Sequence, residues 1–170
     1  MSFEKIKPDN ISIESIDKST YPGDYEATIV EQWKTCVDTA NGITDKRNMA
    51  NSIFITVNTA LFAVVTFSLD YKSMLLSAIG MSICILWLKL LENYKQLNKV
   101  KYEIIAEIEE MLPLTPLKAE WHRLHKQRTY TGLTKIEKAL PVVFIVLYGL
   151  AVLYPLAKLI LKFVCPCITN

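Results

Sequence analysis

The chain has 170 residues, is 51% hydrophobic and contains only five glycines, a composition richer in apolar residues than that of a typical soluble domain. A net charge of +2, with no basic cluster interleaved with aromatics, excludes nucleic acid as an expected partner. Four scattered cysteines exclude a disulfide framework, and Cys36 and Cys84 read as inert packing thiols.

Residues 1–24 mix Pro8, Pro22 and Gly23 with alternating Ile, Ser and Asp, and read as an extended or partly ordered arm. The arm lacks the apolar core and small-residue cleavage site of a secretory signal, so no removed segment is expected. From Tyr25 the residues Ile29, Trp33, Cys36 or Val37, Ala40 and Ile43 or Thr44 recur at helical spacing. They predict an amphipathic helix over 25–50, with Asp24 as its N-cap. It runs directly into the apolar stretch 51–69, NSIFITVNTALFAVVTFSL, which is long enough to cross a bilayer. Continuous from Asp24 to Leu69, such a helix measures about 68 Å, more than twice the hydrocarbon thickness, so half of it must project into water. Gly42 is its weak point, a bend or a close packing position.

This first span is not uniformly apolar. At about 100° per residue, Thr44, Arg47, Asn48, Asn51, Asn58, Thr59 and Thr66 fall within roughly one third of its circumference. Amides are costly against lipid, so Asn51 and Asn58 are expected to face another helix or a water-filled cavity. The stripe reads either as a hydrogen-bonded helix contact or as the lining of a pore, with Ile55 and Phe62 as a hydrophobic constriction in the second case.

Asp70, Tyr71 and Lys72 form a short turn, and 73–91 returns through the bilayer as a second span. Ser73, Ser77, Gly80 and Cys84 place small side chains along one face, where another backbone can approach closely. The helical period continues through Leu97, Val100, Ile104, Ile108 and Met111 until Pro113 stops it, giving an amphipathic helix over 92–112. The two amphipathic halves are expected to lie antiparallel, burying Ile29, Trp33 and Val37 against Leu97, Ile104 and Ile108 or against neighbouring subunits. Residues 113–140 read as a structured connector. Thr134 and Glu137 have capping-box spacing and Pro141 suits the first turn of a third span over 141–164, with Pro155 as a kink. An outer tail, 165–170, follows. The predicted fold is all-α, three transmembrane helices with the first two a hairpin extended into the cytosol.

Orientation follows from basic residues. Residues 1–50 hold six Lys or Arg and 92–140 hold nine, whereas the opposite side has only Lys72, Lys158 and Lys162. The N-terminus and the connector are therefore expected in the cytosol and the C-terminus outside.

Catalytic chemistry is sparse. His122 and His125, with Glu120 nearby, have weak metal-ligand spacing and lack the Glu-Xaa-Xaa-His pairing of a metal helix; no metal or cofactor is expected. Glu103, Glu107, Glu109 and Glu110 read as a solvated helix face. No phosphate-binding glycine loop or nucleophile elbow occurs, so an enzyme is not expected. Cys165-Pro-Cys167 reads as a plain tail with two thiols, or as a metal or disulfide site.

Three stretches together, WKTCVDTANGITDKRNMANSIFITVNTAL (33–61), LPLTPLKAEWHRL (112–124) and LTKIEKALPVVFIVLY (133–148), resemble the RipA family of small octameric integral membrane proteins of bacteria. The resemblance implies a ring of about eight copies in the inner (cytoplasmic) membrane, and it falls on Asp38, Arg47, Asn51, Asn58, Glu120, Trp121, Glu137 and Pro141. It implies no reaction. On this reading Arg47, Asn48, Asn51, Asn58, Thr59 and Thr66 form an assembly or pore-facing stripe, while Trp33, Glu120, Trp121 and Glu137 hold a cytosolic layer together. The expected function is a ring-shaped scaffold or pore. The alternative is a membrane effector or receptor module whose cytosolic helices answer a protein partner or signal, as in stress or phage defence.

Overall fold

The computed structural model describes residues 13, 15–67, 71–126 and 133–164, which are helical apart from the approach to the first helix and one short connection. Four helices follow in order: α1 (Tyr25–Phe67), α2 (Tyr71–Glu109), α3 (Pro116–Lys126) and α4 (Leu133–Val164). Three of them, α1, α2 and α4, are long and apolar enough to cross a membrane. Contacts divide the chain into two compact units, Met1–Asn41 with Lys99–Arg128, and Gly42–Asn98 with Thr129–Asn170.

In the first unit, α1 starts where Asp24 caps it. The Ala27 amide donates to Asp24 Oδ1 at 3.0 Å and the Thr28 amide to the Asp24 carbonyl at 3.0 Å, which satisfies two of the donors that a helix start leaves open. Tyr21 sets its ring edge-on against Tyr25, with centroids 5.9 Å apart. Ala40, Ile105 and Ile108 are buried. Ile105 takes the core position within the chain, and Ile104, about 100° round the helix, is exposed, which leaves it to the expected contact with a neighbouring subunit.

The end of α2 also departs from expectation. Glu109, read from sequence as part of a solvated face, is completely buried. Its two carboxylate oxygens accept the amides of Leu117 and Lys118, each at 3.0 Å. The chain reverses between Glu110 and Thr115, and the carboxylate thereby meets the N-terminal amides of α3, where helix geometry favours negative charge. Pro116 opens that helix, having no amide to leave unsatisfied.

The second unit is built from residues 42–67 of α1, 71–98 of α2, and α4. Val65, Cys84, Tyr148 and Ala151 form its buried centre, with Leu61, Phe62, Leu76, Met81, Phe144 and Ile145 packed around them. Ser73, Ser77, Gly80 and Cys84 are all buried, so the small-residue face of the second span is where helices approach closely. A Cβ on Gly80 would lie 2.3 Å from the Tyr148 ring. Around Gly42 nothing lies within 4 Å of such a Cβ, so no other part of the same chain packs closely there, and α1 continues through it. The helix carrying Pro141 begins at Leu133, so Pro141 is its ninth residue and does not lie in the first turn. The added turns are anchored through side chains, with Glu137 on Arg47 and Lys138 on Glu92.

Candidate functional site

The polar stripe of α1 has two edges with different surroundings. Its inner edge, Arg47, Asn51 and Asn58, recurs at intervals of four and seven residues and so faces one direction. Arg47 Nη2 donates to Glu137 Oε1 of α4 at 3.1 Å, and the two side chains are only 8% and 12% exposed. Trp87 Nε1 of α2 donates to Asn51 Oδ1 at 2.8 Å, while the Trp87 ring stacks on Phe54 at 5.5 Å. Asn58, wholly buried, joins three helices. Its amide donates to the Phe54 carbonyl at 2.8 Å, its Oδ1 accepts the Cys84 thiol at 3.2 Å, and the Tyr148 hydroxyl donates to its carbonyl at 3.1 Å. Each amide and charge thus has a partner inside the protomer, the condition for keeping such groups in an apolar setting. Arg47 Nε and Glu137 Oε2 remain buried without a hydrogen bond.

The outer edge lies about 100° further round the helix. Asn48, Thr59 and Thr66 are exposed there, together with Ser52 and Thr56, which the sequence reading passed over. Ser52 Oγ donates to the Asn48 carbonyl at 3.1 Å, Thr56 Oγ1 to the Ser52 carbonyl at 2.9 Å and Thr66 Oγ1 to the Ala63 carbonyl at 2.7 Å. Hydroxyls satisfied by their own helix can face lipid, yet they keep acceptor capacity and their small size allows close approach. Beside this edge, Met49, Ser52, Ile53, Thr56 and Val57 line a shallow depression of about 270 Å³. Ile55 is exposed on the same side of the helix, whereas Phe62 is half-buried, edge-on to Tyr148 at 5.6 Å.

The residues expected to form a cytosolic layer belong to both units. Trp33 is half-buried in the first unit, its Nε1 without a hydrogen bond; Glu120 and Trp121 are exposed on α3. Glu137 belongs to the second unit, where it neutralises Arg47. Glu110, beside the buried Glu109, pairs with Lys118 of α3, and that ammonium holds its carboxyl below the usual value. His122 is exposed, and no group of three metal-ligating side chains occurs among the described residues. The His125 side chain and the Cys165-Pro-Cys167 tail lie outside the described part.

Glu109, Trp87, Cys84 and Tyr148 are the partners that sequence reasoning missed. Thr115-Pro116 was an available signal, since Thr before Pro marks a helix start and therefore a place for a carboxylate. Trp87 and Tyr148 carried no local signal, because their partners lie 36 and 90 residues away.

No curated protein and no solved structure matches the chain. A family model, however, matches residues 30–157, a span that takes in both edges of the stripe, the small-residue face of α2, all of α3 and most of α4. The chain belongs to the octameric membrane protein family (8xMP).

Proposed function

We propose that this protein forms a ring of about eight copies in the bacterial inner membrane, of the RipA type, and acts there as a scaffold or pore without enzymatic activity. Family membership supports the copy number. The observation that carries the reading is the outer edge of α1, where Asn48, Ser52, Thr56, Thr59 and Thr66 stay exposed along a membrane-spanning helix. The inner-edge polar groups are consumed within the protomer, so the outer edge is the polar surface left for neighbouring copies and the axis they enclose. The excess of Lys and Arg on residues 1–50 and 92–140 supports a cytosolic N-terminus and an outer C-terminus. The first unit then forms a cytosolic layer in which Trp33, Glu120 and Trp121 serve assembly.

Native mass spectrometry of the complex in nanodiscs tests this reading. About eight copies are expected, and a monomer or dimer overturns it. The double variant Asn48→Leu/Thr59→Leu is expected to change the assembled mass or the ion flux of reconstituted vesicles while leaving protomer unfolding unchanged. Unaltered mass and unaltered flux remove the outer edge from the assembly.

A further inference from the structure

We propose that the second unit binds anionic phospholipid headgroups through Lys46, Lys89 and Lys135, one at the end of the lipid-facing stripe of each spanning helix. This contact requires the membrane placement of α1, α2 and α4 and no particular number of copies. Ion pairs set the level at which the three cations sit. Arg47 of α1 meets Glu137 of α4, and Lys138 of α4 meets Glu92 of α2, so the helices are tied at one level beside their apolar stretches. Lys46 adjoins Arg47, Lys89 lies one turn from Glu92, and Lys135 is two residues from Glu137.

At that level Arg47, Lys95 and Lys138 are engaged by Glu137 and Glu92. Lys46, Lys89 and Lys135 are exposed and have no ion pair among the described residues. Each stands over a straight apolar stripe of its own helix. At about 100° per residue, Ile53, Val57 and Val64 fall within about 20° of Lys46, Leu75 and Ile85 within about 40° of Lys89, and Val142, Val146 and Leu153 within about 20° of Lys135. All eight apolar side chains are exposed. An ammonium at the end of such a stripe sits where a lipid phosphate joins its acyl chains. The depression of about 270 Å³ beside Ile53 and Val57 begins within one turn of Lys46 and gives part of an acyl chain a seat.

The charge pattern of α1 separates this face from the polar outer edge. Asp45, exposed and without an ion pair among the described residues, lies about 100° from Lys46, in line with Ser52 and Thr56. An anion thus ends the polar face proposed for neighbouring copies, and a cation ends the apolar face. A headgroup phosphate is repelled by the first and attracted by the second, which makes lipid rather than a second copy the occupant of the Lys46 stripe. On α2 and α4 the cation-over-apolar arrangement recurs, and there the carboxylates of the same level, Glu92 and Glu137, are already paired.

The test places the full chain in nanodiscs holding equal amounts of phosphatidylglycerol and phosphatidylcholine, and counts by native mass spectrometry the lipids that leave the disc with the protein. Phosphatidylglycerol is expected to be retained about fivefold over phosphatidylcholine at each lysine, the effect of one cation near an anionic surface. Lys46→Gln/Lys89→Gln/Lys135→Gln is expected to remove that preference, and Lys46→Arg/Lys89→Arg/Lys135→Arg to keep it. Equal retention of the two lipids by the parent overturns the proposal, as does a preference that survives the triple Gln variant. Lys34→Gln/Arg123→Gln/Lys126→Gln removes the same charge from the first unit and is expected to leave the preference intact; an equal loss there reports net charge alone and overturns the assignment. Inorganic phosphate added to the discs is expected not to displace phosphatidylglycerol, and displacement overturns the lipid in favour of a free-phosphate site. The same spectra give the copy number: eight copies without a lipid preference overturn this contact alone, and one or two copies with the preference overturn the ring alone.

Discussion

Adding a single methyl group at Gly80 probes the closest helix approach in the second unit. In Gly80→Ala the new Cβ would fall 2.3, 2.5 and 2.7 Å from three atoms of the Tyr148 ring. Ordinary contact begins near 3.4 Å, so the ring must retreat by about 1 Å. Tyr148 is fully buried and its hydroxyl donates to the Asn58 carbonyl at 3.1 Å; a retreat of that size breaks the bond. Overpacking costs about 1–3 kcal/mol, and a helix–helix hydrogen bond in a membrane is worth about 0.6–1 kcal/mol. The higher helix propensity of Ala offsets up to about 1 kcal/mol. A net loss of about 1–3 kcal/mol is expected in equilibrium unfolding in mixed micelles followed by circular dichroism. Gly149→Ala is the control: nothing lies within 4 Å of its Cβ, and stability is expected to hold or rise. In the Gly80→Ala/Tyr148→Phe double variant the hydroxyl is already lost, so the two effects should sum to less than their separate values by about the hydrogen bond. A Gly80→Ala protein as stable as the parent refutes the packing argument.

Three further predictions concern the buried polar groups and the α2–α3 junction. Glu109→Ala removes both acceptors from the start of α3 and is expected to cost about 1–3 kcal/mol locally, read as faster hydrogen exchange at Leu117 and Lys118; unchanged protection refutes the cap. Arg47→Met or Glu137→Leu alone strands a buried charge and is expected to destabilise by about 3–5 kcal/mol, whereas the double variant should come within about 1 kcal/mol of the parent; equal single and double losses in the same unfolding assay would count against the pair. Glu110 has its folded pKa lowered below 4.5, first by the Lys118 hydrogen bond and then by that residue's charge, so its contribution is complete above the unfolded value and disappears as pH falls through the folded one. Protection of α3 amides, corrected for intrinsic exchange, is therefore expected to fall below about pH 4.5, and Lys118→Met should flatten that dependence.

Much of the architecture was legible because it rests on local pattern. The three apolar runs, the helical period on either side of the first two, and Asp24 ahead of α1 are properties of contiguous residues, and the corresponding helices formed. The misreadings share a different cause. Glu107, Glu109 and Glu110 look alike in sequence, yet the chain reversal before α3 delivers two amides to Glu109 alone. Pro141 looked like a helix start, but Leu133–Leu140 is helix-forming sequence fastened by Glu137 and Lys138, and these ties extend the helix on the N-terminal side of the proline.

The polar stripe shows the same limit most clearly. Periodicity places Arg47, Asn48, Asn51, Asn58, Thr59 and Thr66 within about one third of the helix, an arc too wide to face one neighbour. Trp87, Cys84, Glu137 and Tyr148 claim one side of that arc, and their claim divides it. Substitutions at Asn51 or Asn58 therefore act first on the protomer, through hydrogen bonds that hold α1 to α2 and α4. Substitutions at Asn48, Ser52, Thr56, Thr59 or Thr66 leave those bonds intact. In the proposed ring the intersubunit information accordingly lies on the outer edge, and the two sets of variants should separate: inner-edge changes shift protomer unfolding, outer-edge changes shift assembled mass.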